Sequence, residues 1–147
     1  MGRRSAAPDA LVLWYPAVAV TADTWFEKLL GGRARPVEAS PAEHVRPGLP
    51  PTIIFQGSAD TVTPLSGVRR FCDAMKSAGN RCDLHVYDEL GHLFGREHPE
   101  AREDAMQKAD RFLVSEGFLK DEANKAVLPQ GEPGEQTSSD GRPEGHR

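Results

Sequence analysis

Pro51-Thr52-Ile53-Ile54-Phe55-Gln56-Gly57-Ser58-Ala59-Asp60 is the stretch on which the fold turns. The run from Thr52 to Phe55 does not alternate with polar residues, which marks a strand covered on both faces, as in a parallel sheet. Pro50-Pro51 sits where proline is tolerated, at the start of a strand. The run ends on Gly57 and delivers Asp60 into a loop. A second run, Cys82 to Tyr87, delivers Glu89-Leu90-Gly91-His92 in the same way.

Upstream, Ala10-Leu11-Val12-Leu13-Trp14-Tyr15 is a third continuous apolar run, stopped by Pro16 and also predicted to be buried on both faces. Trp25, Phe26, Leu29 and Leu30 fall at helical spacing ahead of Gly31-Gly32. Residues 33–51 hold five prolines and read mostly as loop, with one short turn from Ser40-Pro41 through Val45. After Pro64, the residues Val68, Phe71, Cys72 and Met75 share one helical face, and Gly79-Asn80 closes that helix. In Cys82 to Tyr87 apolar and polar residues alternate, predicting a half-exposed edge strand. Pro99 opens a last helix whose buried stripe is Ala105, Ala109, Phe112 and Leu113, ended by Gly117. Strand, loop, strand, helix, strand, helix calls for an α/β fold: about three mainly parallel strands with crossover helices.

In such sheets functional loops lie beyond the carboxyl ends of the strands. Asp60 and His92 both fall on that edge, each after a strand and before a helix. Alone, Asp60 is as well explained by a turn or a helix cap, and a lone loop histidine by solvent exposure. Together they are the candidate catalytic residues. Imidazole moves a proton near neutral pH, and a carboxylate fixes its tautomer and steadies the imidazolium. His44, His85, His98 and His146 take no such role. His92, Glu97 and His98 do not match the HExxH spacing, so no metal is assigned. Trp14, Tyr15, Trp25 and Phe26 could line a pocket, though core packing is the plainer reading.

Composition excludes several classes. With 147 residues the chain is one domain at most, and its net charge of -4 provides no field for nucleic acid. No run approaches the roughly 18 apolar residues of a membrane span. The basic N-terminus is followed by only a short apolar run, which Asp9 interrupts, so a secretory signal is not expected. From Pro129 onward there is no aliphatic or aromatic side chain, and disorder is expected there. Cys72 and Cys82 allow one disulfide; two buried thiols are the simpler reading, since a bridge needs Cα atoms within about 7 Å. The compartment stays open.

Four segments carry a family resemblance: Asp9 through Pro16, Ser40 through Val45, Leu49 through Asp60, and Tyr87 through Gly91-His92. They resemble the C-terminal portion of an α/β-hydrolase, closest to the acetyl-esterase and lipase-like branch that includes bacterial xylan and feruloyl esterases. The resemblance covers about residues 9–118. In that family the acid follows the penultimate strand and the histidine the last, which implies those roles for Asp60 and His92. The loop after the acid commonly reads Asp-x-x-Val-Pro, whereas Asp60-Thr61-Val62-Thr63-Pro64 has its valine one place early. Leu93-Phe94 follows the histidine where Gly-Phe is common.

What the resemblance implies is an incomplete domain. Residues 9–120 form the hydrolase portion, 1–8 a chain start with its upstream part missing, and 121–147 a disordered tail. The expected activity is that of a serine carboxylic-ester hydrolase acting on small-molecule or carbohydrate esters without a cofactor. Yet no serine here lies in a Gly-x-Ser-x-Gly turn and the glycine-rich oxyanion loop is absent, so the nucleophile is expected from a missing N-terminal half. Ser58, nearest to Asp60, is the serine to test against that expectation. Two rival readings are a non-catalytic remnant acting as an interaction module and a serine peptidase of the same superfamily. Without its family partner strand, Ala10–Tyr15 would leave apolar residues and an unpaired edge near Leu11, Leu13 and Trp14, inviting self-association.

Overall fold

Alternate side chains of one central strand meet two different helices, and that arrangement organises the computed structural model, which describes residues 5–21 and 24–121. The sheet contains β1 (Leu11–Trp14), β2 (Thr52–Gly57) and β3 (Cys82–Tyr87), all parallel, in the order β1-β2-β3. Leu11 pairs with Thr52 and Trp14 with Phe55, while Thr52 pairs with Cys82 and Gly57 with Tyr87. The tail from residue 122 onward and residues 1–4 lie outside the described residues.

Every residue of β2 is buried because it has a neighbour on each side and a helix over each face. Ile54 packs with Val18, Val68, Phe71, Cys72 and Met75 under α3 (Leu65–Ser77). Ile53 and Phe55 face the other way and pack with Phe94, Ala105, Ala109 and Phe112 under α5 (Pro99–Ser115). The period of two along the strand thus sorts one apolar run into two cores. The helix predicted from Val68, Phe71, Cys72 and Met75 is α3, with those four side chains as its buried face. It closes on Gly79 in the left-handed region (φ 82°), where the Gly79 N–H donates to the Lys76 carbonyl and the Asn80 N–H to the Met75 carbonyl.

Four expectations need correction. β1 is not buried on both faces: it lies at the sheet edge and Val12 is 37% exposed. The expected apolar patch is also smaller, since Leu13 packs toward the α3 core and Trp14 toward the α5 core. Residues 33–51 hold the expected short turn as a 3-10 turn (Pro41–His44) and, ahead of it, a helix that was not expected, α2 (Pro36–Ala39). Glu38 makes α2 possible by accepting from the Arg35 N–H at 3.0 Å while also pairing with its guanidinium. Cys72 and Cys82, read more simply as thiols, are joined as a disulfide with Cα atoms 5.5 Å apart. The bond ties α3 to the start of β3.

The remaining helices are α1 (Thr24–Leu30), which buries no residue, and the short α4 (Phe94–Glu97) ahead of α5. Along the β3 edge, Arg81 pairs with Asp83 and Glu116, and Lys108 with Asp104. Charges in these positions discourage further strand pairing. No described helix is long and apolar enough to cross a membrane.

Candidate active site

Parallel pairing puts the loops after β2 and β3 side by side at one edge of the sheet, and backbone hydrogen bonds lace them together. Ser58 N–H donates to the Tyr87 carbonyl at 2.9 Å and Ala59 N–H to the Leu90 carbonyl at 3.0 Å. The Ser58 hydroxyl accepts the Glu89 N–H at 2.8 Å. That bond gives Ser58 a loop-bridging role. His92 and the Ser58 hydroxyl share no hydrogen bond, so the structure brings the acid and imidazole together without this serine.

Asp60 and His92 meet at 2.8 Å, Oδ2 to Nδ1. A carboxylate only accepts, so the imidazole proton sits on Nδ1 and Nε2 is left with its lone pair. The Asp60 side chain is fully buried, whereas that of His92 is 27% exposed. His92 Nε2 makes no hydrogen bond among the described residues. The pair therefore has a sealed acid end and an open base end.

Five donors converge on the Asp60 carboxylate. Oδ1 accepts the N–H groups of Val62 at 2.9 Å and Thr63 at 2.8 Å. Oδ2 accepts from His92, from Gln56 Nε2 at 3.0 Å and from the Thr63 hydroxyl at 3.1 Å. Burial pushes the carboxyl's pKa up, but the Thr63 N–H, the His92 imidazole, the Val62 N–H and the Thr63 hydroxyl outweigh it, so the net direction is below the usual carboxylate range. A lowered folded pKa stabilises the fold above the unfolded value of about 3.9 and loses that contribution as pH falls through the folded value. Urea midpoints measured against pH should therefore stay level down to about pH 4 and drop below it. Asp60→Asn should flatten that acid-side drop, and an unchanged drop would show that other carboxyls cause it.

Thr63 and Gln56 were not singled out from the sequence. The Thr63 hydroxyl also lies 3.2 Å from the Tyr15 carbonyl and 3.3 Å from His92 Nδ1, so it joins the ends of all three strands. It stands on the Nδ1 side of the imidazole, away from the end that would activate a nucleophile. A signal for Gln56 existed in the sequence, since it is an amide inside an apolar run. No local pattern marks Thr63.

Aromatic packing holds the imidazole from behind. The Tyr15 ring lies 5.4 Å from the His92 ring and 5.1 Å from Phe94, and the Tyr15 hydroxyl accepts the Gly95 N–H at 3.1 Å. Tyr15, Glu89 and Leu93 all have positive φ without being glycine. All three sit in turns at the carboxyl ends of β1 and β3, next to the candidate pair, where backbone strain commonly accompanies function. Trp14 packs on Phe55 and Phe94. Trp25, by contrast, is 53% exposed.

The other histidines lie elsewhere. His44 contacts the Val37 and Glu38 carbonyls, and His85 stacks on Phe55, where burial and then Lys108 lower its pKa. His98 sits at the N-cap position of α5 without a side-chain capping bond, and His146 lies outside the described residues. No cluster of three or more His, Cys, Asp or Glu suited to a metal occurs among the described residues. The cleft beside the acid loop, between Val18, Phe26 and Pro64, encloses only about 10 Å³, the space of a single water. These residues alone do not form a pocket for an ester.

The chain is similar to known proteins over much of its length. The model of the prolyl oligopeptidase family matches residues 19–117. A Methylorubrum extorquens protein, provisionally named a carboxymethylenebutenolidase, is 29% identical over 84 residues, covering 56% of this chain and 29% of that protein. The thermophilic esterase 2 of Thermogutta terrifontis superposes with a TM-score of 0.69 and 37% identity over 78% of this chain and 44% of its own. The same esterase phosphonylated by sarin gives a TM-score of 0.71 at 37% identity, over 78% of this chain and 46% of that one. The chain thus spans less than half the length of these relatives.

Proposed function

We infer the function of this chain from one premise: it belongs to the prolyl oligopeptidase family, within the α/β-hydrolases. Its relatives include esterases, and hydrolase chemistry is the family's common ground. The finer reading is that it supplies the acid and base of a serine carboxylic-ester hydrolase. Asp60 orients His92 and steadies its positive charge. His92 Nε2 takes the proton from a serine hydroxyl as that oxygen attacks the ester carbonyl, then gives it to the departing alcohol. Water repeats the cycle on the acyl-enzyme. The 2.8 Å bond between Asp60 and His92 at the carboxyl ends of parallel strands is the observation that carries this reading.

The nucleophile and oxyanion donors are supplied from outside residues 1–147, which contain no Gly-x-Ser-x-Gly turn. Small-molecule or carbohydrate esters are the proposed substrates. A second reading, a serine peptidase, is favoured by the family model that matches; both use the same pair, and they differ in the bond cleaved. The test joins residues 9–118 to the complementary portion of Thermogutta terrifontis esterase 2. The chimera should hydrolyse a short-chain aryl acetate faster than a prolyl anilide, while the 147-residue chain alone shows no turnover that depends on His92. Turnover by the chain alone, abolished by His92→Ala, would place a nucleophile within it and overturn that part of the reading.

A further inference from the structure

Gln56 is fully buried in the central strand, where a side chain of similar length without polar atoms would be the simpler choice. Its Nε2 lies 3.0 Å from Asp60 Oδ2 and 2.7 Å from the Thr63 carbonyl oxygen, with the Gly57 carbonyl at a marginal 3.5 Å. Both close partners can only accept. The amide nitrogen must therefore face them, because the flipped amide would set its oxygen against a carboxylate and a carbonyl. Held this way, Oε1 accepts from no group among the described residues. An unpaired buried acceptor is destabilising, so what justifies this amide is what its N–H groups hold.

We propose that Gln56 is a positioning residue whose amide clamps the Asp60 carboxylate to the Thr63 carbonyl, keeping a fully buried carboxylate charged and presented to His92. The clamp deepens the reading of Asp60 and His92 as acid and base, and its purpose rests on that reading. It acts on the oxygen that His92 uses. Oδ1 is already held by two backbone N–H groups of the turn, so Oδ2 is where an added donor changes the acid. His92, from the loop after β3, is the titratable side chain that faces Asp60. Gln56 from β2 and Val62 and Thr63 from the acid's own loop are neutral, and the Tyr15 hydroxyl beyond β1 is turned to the Gly95 N–H.

The test follows the Val62 and Thr63 amide proton shifts against pH in the intact chain, since those N–H groups donate to Asp60 and report its ionisation. Gln56→Met removes the donor at similar length and should raise the Asp60 midpoint by about one pH unit, tenfold in proton affinity. Gln56→Glu keeps the shape but sets a second carboxyl beside the first, so its midpoint should rise further and split into two coupled steps. A merely structural Gln56 would lower stability and leave the midpoint in place. A Gln56→Met midpoint equal to wild type overturns the proposal, and if Gln56→Met does not fold, Gln56→Leu, which also lacks the donor and adds no charge, decides in its place. An unmoved midpoint with a His92-dependent chimera removes the clamp and leaves the acid–base pair. A moved midpoint in a chimera indifferent to His92 keeps the clamp and removes the catalytic reading.

Discussion

His92→Ala in the esterase chimera should lower kcat for an aryl acetate by about a millionfold, and Asp60→Asn by roughly ten-thousand-fold, with KM little changed in both. The difference between the two follows from the geometry. Without the imidazole no group takes the serine proton, and the Thr63 hydroxyl cannot substitute because it sits on the Nδ1 side. Asparagine keeps the shape of Asp60, but all five groups around that carboxylate donate. Wherever its NH2 is placed, a donor meets a donor. If it faces His92, the imidazole is driven to the tautomer with its proton on Nε2, where a base must be bare. Steady-state kinetics on the three proteins measures this, and losses below tenfold would remove Asp60 and His92 from the chemistry.

Gly57→Ala should be the most damaging single-methyl change in the fold. A Cβ there would lie 2.1 Å from the Leu90 carbonyl oxygen and 2.7 Å from its carbon, with the Gly91 oxygen at 3.0 Å. These are backbone atoms of the histidine loop and cannot rotate aside. Either β2 and that loop separate, breaking the bonds from Ser58 to Tyr87 and from Ala59 to Leu90, or the chain does not fold. A loss of about 3 kcal/mol or more is expected, the upper range for overpacking. Gly91→Ala is the control, because nothing lies within 4 Å of its added methyl. Denaturant titration of both variants checks the contrast; equal stabilities would show that the two loops are not locked together at Gly57.

Gly57 also shows where reading the chain succeeds and where it stops. From the sequence it is the residue that ends an apolar run and leads to Asp60, and that much is local. What makes a side chain intolerable there is the Leu90 backbone, over thirty residues away. The same division holds for Gln56. Its oddity is visible as an amide among apolar neighbours, but whether an amide in a strand faces solvent, another strand or a carboxylate depends on what packs over it.

The three parallel strands and the helices between them are legible in the chain, because those depend on local period. Thr52 to Phe55 is continuous, Cys82 to Tyr87 alternates, and Val68, Phe71, Cys72 and Met75 return every three or four residues. Also legible is that Asp60 and His92 fall on one edge, since parallel strands put every strand-to-helix loop on the same side. The rest came from how the elements pack. β1 is half-exposed because it lies at the sheet edge, and an apolar run does not state how many neighbours it has. The disulfide depends on where α3 crosses the start of β3. The five donors around Asp60 come from β2, its own loop and the loop after β3, and Tyr15, after β1, stands behind His92. Hydrogen bonds between distant segments leave no period in the chain, because they are set by the ångström-scale packing of elements whose order alone is written there.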